Sequence, residues 1–109
     1  MQPLHARPFV LAKPGTTALA ADAVATLRAQ LADPWTTTDG RLSRSYRVAD
    51  FATALALAVR IGMLAEKLDH HPELTVAWGE LRVVVWTHTV GGLAEGDFVF
   101  AARCDLIAA

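Results

Sequence analysis

The chain has 109 residues, enough for one domain that buries a single two-layer core without disulfide or metal staples. Ten Lys and Arg against eleven Asp and Glu leave a formal net charge of −1, and the basic residues are scattered, which argues against direct nucleic-acid binding. The longest apolar stretch is interrupted by Arg60 and then by Glu66 and Lys67, so no segment is expected to span a bilayer. The N-terminal region carries His5 and Arg7 but no apolar run leading to a cleavage site, so a cytoplasmic location is expected. The single Cys104 cannot form an internal disulfide and, within an apolar helical pattern, reads as a packing residue.

Residues 1–16, with Pro3, Pro8, Pro14 and Gly15, have no period and read as an irregular lead-in. Residues 17–109 then form the single domain. From Thr17 to Ala32 the apolar positions Ala20, Val24, Leu27 and Leu31 recur at helical spacing, and Asp33-Pro34 ends the run. Trp35–Thr38 and Arg41–Val48 are rich in aromatic and β-branched residues, and Asp39-Gly40 between them signals a two-residue hairpin. Arg41, Arg44 and Arg47 on this hairpin read as solubilising charge without a functional role.

Asp50 is placed to N-cap a helix from Phe51 to Leu68, whose positions Phe51, Leu55, Val59 and Gly62 form one stripe assigned to the sheet. One further turn along that stripe puts Glu66 on the sheet-facing side. Leu57, Ile61, Leu64 and Leu68 extend the apolar surface beyond what one sheet face needs, and point to a subunit interface. Leu74–Trp78 and Leu81–His88 read as a second hairpin with Gly79-Glu80 at its turn, which pairs Trp78 with Leu81, Val76 with Val83 and Leu74 with Val85 on the core face. His88 then has the opposite parity. Gly91-Gly92 links to a last helix from about Glu95 to Ile107. The expected fold is α+β, in two layers: a four-stranded antiparallel sheet with helices packed on one face.

Three of the four histidines, His70, His71 and His88, fall at a helix-to-strand junction and a strand end. Together with Glu66, Asp69 and Asp97 they support three readings. Asp69 and His70 can simply cap the helix, with His71 in an extended turn before Pro72. A zinc site is a second reading, although the two-His helical spacing of metalloproteases is absent and adjacent histidines diverge on extended backbone. Acid–base catalysis is the third: it needs groups that titrate near neutral pH and converge from different elements on one substrate.

The stretch AEKLDHHPELTVAW, with THTVGGLAEGD beyond it, resembles the signature of pterin-4a-carbinolamine dehydratases. Glu66, His70, His71, Pro72, Trp78, His88 and Asp97 fill its places, and Trp35, Arg44, Tyr46 and Asp50-Phe51 extend the resemblance toward the N-terminus. It therefore covers nearly the whole chain after the lead-in, and it places catalysis ahead of the capping and zinc readings. Two departures stand out. The lead-in is longer and richer in proline than in the family, and Ala94 stands where the family often caps the last helix with Ser or Thr, a loss of about 1 kcal/mol unless Glu95 or Asp97 compensates.

The resemblance implies loss of water from a 4a-hydroxytetrahydropterin to give the quinonoid dihydropterin, with no metal or redox cofactor. By the same resemblance His70 and His88 are the acid–base pair, His71 positions the pterin, and Glu66 and Asp97 orient the histidines, a helix-N-terminal role for Asp97 being the competing assignment. Trp35, Trp78 and Trp86 offer stacking surfaces for the flat pterin, with Trp78 assigned to the core by parity. A homodimer or homotetramer and a partner aromatic amino-acid hydroxylase are the implied associations. Some relatives serve instead as protein-binding or assembly modules, and where the signature is eroded they do not catalyse. Here it is intact.

Overall fold

The computed structural model describes residues 2–109. Helix α1 spans Ala21–Arg28, strands β1 and β2 span Thr36–Thr38 and Arg41–Arg47, helix α2 spans Phe51–Leu68, strands β3 and β4 span Glu73–Ala77 and Glu80–Val85, and helix α3 spans Glu95–Ala108. Short 3-10 turns occupy Leu4–Ala6 and His88–Val90. The four strands form one antiparallel sheet in the order β1-β2-β4-β3, with the helices packed against it, which is the expected α+β arrangement.

The first hairpin turns where expected: Asp39 and Gly40 both adopt positive φ, and Thr38 pairs with Arg41. The second turns one residue earlier than expected. Trp78 and Gly79 form the turn, Gly79 takes φ 73°, and its carbonyl accepts from Val48 N–H at 3.0 Å, tying the turn to the end of β2. Ala77 therefore pairs with Glu80, Val76 with Leu81 and Leu74 with Val83. Relative to the expected pairing this is a slip of two residues, and an even slip keeps every side chain on its face. Leu81, Val83 and Val85 accordingly reach the core, but Trp78 does not: it sits in the turn, 75% exposed.

Helix α2 starts as expected, with the Asp50 carboxylate accepting from Thr53 Oγ1–H and Thr53 N–H, bonds that hold that carboxyl below its usual range. Its sheet-facing side is the reverse of the one expected. Ala54, Leu57, Ala58, Ile61 and Ala65 are buried, whereas Phe51, Leu55, Val59 and Met63 are 48–68% exposed. Both stripes are apolar, so hydropathy alone does not choose between them. The buried one carries three alanines, which let the helix approach its neighbours closely around Leu57 and Ile61. Glu66 follows the open stripe, and its side chain is 79% exposed.

Against α2 and the sheet lies α3, buried along Gly96–Ala101 and again at Cys104, whose thiol burial pushes above its usual range. Each fully buried Leu, Val or Phe in this core contributes about 1.5–3 kcal/mol. Arg44, expected to be simple surface charge, instead pairs with Asp105 of α3 at 2.8 Å and lies over the Tyr46 ring. Asp105 also accepts from Tyr46 Oη at 2.6 Å and from Trp35 Nε1, so one carboxylate ties α3 to β2 and to the residue before β1.

Helix α1 is shorter than the expected Thr17–Ala32. Residues before it run extended, with Leu19 N–H donating to Leu93 O at 2.8 Å. Within the lead-in, Leu4 is buried in the core and the segment packs along α3. Among the described residues no helix is long and apolar enough to cross a membrane.

Candidate active site

The site begins with how α2 stops. Asp69 takes the left-handed conformation (φ 53°, ψ 41°) and its N–H bonds back to the helix, while His70 N–H donates to Ala65 O at 3.0 Å. This reversal separates the two adjacent histidines. His70 turns inward and is 6% exposed, and His71 turns outward, its Nε2 at 2.8 Å from Glu66 Oε1. Glu66 thus reaches His71 from the open side of the helix rather than from the sheet face.

Inside, His70 Nε2 lies 2.6 Å from Oδ1 of the fully buried Asp97. The other oxygen, Oδ2, accepts from Thr87 Oγ1–H at 2.7 Å and from Ala94 N–H at 2.9 Å. The two competing assignments for Asp97 therefore fall on its two oxygens: one holds a histidine, the other caps α3. The cap is the return half of a capping box only, because Ala94 has no side-chain acceptor. Three donors around one buried carboxylate offset much of the cost of removing its charge from water. A carboxylate only accepts, so His70 Nε2 carries a proton and, in the neutral imidazole, Nδ1 carries the lone pair. Among the described residues Nδ1 has no hydrogen-bond partner, and His70 is one of the residues that line the cleft described below.

His88 arrives from the other hairpin. Residues Leu81, Val83, Val85 and Thr87 share one parity and are buried, and His88 takes the opposite parity and is exposed, as expected. It opens the 3-10 turn and stacks on Trp86, ring centroids 4.5 Å apart and planes 25° apart, with the Arg41 guanidinium 4.2 Å from the Trp86 ring centroid. A cleft of about 400 Å³ collects His70, His71 and His88 with Asp69, Thr87, Thr89 and Leu11. Thr87 and Leu11 were not expected there. Parity could have found Thr87, the polar end of an otherwise apolar strand face; no periodic signal marks Leu11.

None of the three tryptophans lines the cleft, contrary to the stacking expectation. Trp35 is buried and bonded to Asp105, Trp78 stands in its exposed turn, and Trp86 is engaged with His88 and Arg41. Among the described residues no group of three or more His, Cys, Asp or Glu is arranged to hold a metal ion, so the zinc reading has no ligand set there. A second hollow of about 450 Å³ lies between α1 and the first hairpin, but Asp39 is its sole ionisable residue.

A sheet-and-helix fold here brings a buried His–carboxylate pair and two further histidines to the same cleft. The sequence model of the family described as Pterin 4 alpha carbinolamine dehydratase matches residues 17–107. A protein of Syntrophotalea carbinolica, named provisionally as a pterin-4-alpha-carbinolamine dehydratase, is 40% identical over 98% of both chains. One of Chlorobium limicola with the same provisional name is 47% identical over 78% of each. A solved structure from Brucella melitensis, titled a transcriptional coactivator/pterin dehydratase, is 32% identical with a TM-score of 0.79, covering 85% of this chain and all of that one. The chain belongs to the pterin-4a-carbinolamine dehydratase family.

Proposed function

We propose that this chain is a hydro-lyase that removes water from a 4a-hydroxytetrahydropterin to give the quinonoid dihydropterin, returning the cofactor to use after aromatic hydroxylation. The observation that carries the reading is the shared cleft: the three histidines of the family pattern surround it, and one of them offers an unbonded Nδ1 backed by a buried carboxylate. In the proposed step His70 Nδ1 takes the proton from N5 of the pterin. The electron pair left on N5 forms the C4a=N5 double bond, and the C4a–O bond breaks. His88 protonates the departing hydroxyl, so water rather than hydroxide leaves, and its exposure lets it be reprotonated from solvent. His71, held by Glu66, positions the pterin. The step is redox-neutral and balances without a further reactant.

The same reading has the enzyme act in the cytoplasm as a homodimer or homotetramer beside an aromatic amino-acid hydroxylase that supplies its substrate. The exposed stripe of α2 supports the assembly. That stripe also favours the second reading, a module that binds other proteins without catalysis. Ultraviolet absorbance following the decay of chemically generated 4a-hydroxytetrahydropterin separates the two. Wild type is expected to accelerate dehydration, and His70→Ala and His88→Ala each to lose about 10²–10⁴ of that acceleration. A folded wild type without acceleration leaves the binding module, and full activity in folded His88→Ala refutes the assignment of the acid.

A further inference from the structure

We propose that the N-terminal segment around Phe9 and Leu11 is a working part of the active site, a strap that holds His70 in place and supplies the apolar wall of the pterin cleft. The proposal deepens the dehydratase reading and rests on it for the identity of the ligand.

The segment lies before residue 17, where the match to the family model begins. It is nevertheless firmly seated. Leu4 is buried in the core, Arg103 of α3 donates to His5 O at 3.2 Å and to Arg7 O at 2.7 Å, and the Arg7 guanidinium pairs with Glu95 at 3.0 Å. Beyond that anchor the chain passes over Gly96, where an added Cβ would stand 3.0 Å from Phe9 Cε1 and 3.2 Å from Val10 O. The absence of a side chain at Gly96 is what lets the strap lie so close to the start of α3.

Two contacts connect this seat to chemistry. The Phe9 ring lies 5.4 Å from the His70 ring, with Phe100 at 5.9 Å, so the imidazole is packed by an aromatic from the strap and one from α3. Held this way, the ring has one orientation, with Nε2 on Asp97 and Nδ1 toward the cleft, and water is kept from the His70–Asp97 bond. Leu11 is the one apolar side chain among the residues lining the cleft, and it is 45% exposed. A flat pterin ring needs an apolar surface for its face, and no tryptophan of this chain lines the cleft to supply one. Leu11 is the surface that remains. Phe9 is therefore a positioning residue acting through His70, and Leu11 a substrate contact.

The test uses the full chain with Phe9→Ala, Phe9→Leu, Leu11→Ser and Gly96→Ala, each checked by circular dichroism. Leu11→Ser is expected to raise KM for the 4a-hydroxytetrahydropterin about tenfold with kcat within about twofold. Phe9→Ala is expected to lower kcat about tenfold with KM within about twofold, and Phe9→Leu to recover part of that loss. Gly96→Ala, whose added Cβ crowds Phe9 and Val10 while leaving the strap's own sequence intact, should reproduce both defects. Independently of turnover, solvent exchange of the His70 Nε2 proton, read by NMR, should quicken at least about tenfold in Phe9→Ala. If wild type proves inactive, the dehydratase reading fails while the proton exchange, and binding of dihydrobiopterin to Leu11→Ser, still decide the strap. Unchanged exchange and kcat in folded Phe9→Ala, or unchanged KM and dihydrobiopterin affinity in folded Leu11→Ser, overturns the proposal.

Discussion

Asp97→Asn tests the proposed role of His70 at a single atom. In the native site Oδ2 of Asp97 accepts from Thr87 Oγ1–H at 2.7 Å and from Ala94 N–H at 2.9 Å, and the backbone donor cannot be reversed. The oxygen of the introduced amide must keep that position, which turns the amide NH2 toward His70 Nε2. The imidazole then accepts at Nε2 and carries its proton at Nδ1, in the cleft, where the proposed step needs a lone pair. A general base is worth about 10²–10⁴ in rate, so kcat should fall on the order of a thousandfold with KM little changed. The fold should survive. A hydrogen bond to a buried carboxylate, worth about 1.5–3 kcal/mol, is exchanged for a neutral one of about 1 kcal/mol, a net loss of about 0.5–2 kcal/mol. For a domain of this size that lowers Tm by about 2–10 °C. Absorbance kinetics give kcat, a thermal melt gives the stability, and nitrogen NMR of the imidazole gives the tautomer. If kcat stays within tenfold of wild type while NMR shows the proton moved to Nδ1, the assignment of His70 as base is wrong.

Tyr46 is the chain's single tyrosine, so ultraviolet difference absorbance reads it alone. Its burial first, and then its bond to the Asp105 carboxylate, push the phenol far above its usual range. No phenolate should appear in the folded protein near the ordinary value of about 10. A raised pKa favours the folded state while the phenol is protonated, so this contribution is complete below about pH 10 and is lost as pH rises above it. Urea midpoints measured across alkaline pH should fall, and a flat profile with early phenolate absorbance would refute the cluster. On α2, Met63→Glu places a charge on the exposed stripe without disturbing the core and should convert an assembled wild type toward monomer in sedimentation velocity, with the circular dichroism of the folded chain unchanged. A wild type already monomeric at micromolar concentration removes the case for that stripe as a subunit contact.

The parts of this structure that were legible beforehand are those with a local cause. Asp39-Gly40 forces a tight turn, Asp50 caps α2, and the alternation of Leu81, Val83 and Val85 puts His88 on the outer face whichever even register the hairpin adopts. The errors came where local chemistry was degenerate. Gly79 suits either position of a two-residue turn, and the choice that bonds its carbonyl to Val48 decides whether Trp78 is core or solvent, a fact held by β2 and not by the hairpin itself. The two faces of α2 are similarly apolar, and what separates them is the close approach that Ala54, Ala58 and Ala65 allow, a property of the neighbours as much as of the helix.

The candidate site divides along the same line. His70, His71 and His88 stand out because titratable residues at element junctions are visible one by one. The bonds around Asp97 are not visible that way. They join residues up to 27 positions apart and depend on the left-handed turn at Asp69 and the buried parity of Thr87 acting together. The lead-in is the extreme case. Its backbone bonds run to the side chain of Arg103, its ring contact runs to His70, and its clearance comes from a missing side chain at Gly96, so nothing within residues 2–12 has a period to read. A segment without regular structure leaves its mark in the partners it requires, and here those partners are a glycine at the start of α3, an arginine later on the same helix and the least exposed histidine of the cleft.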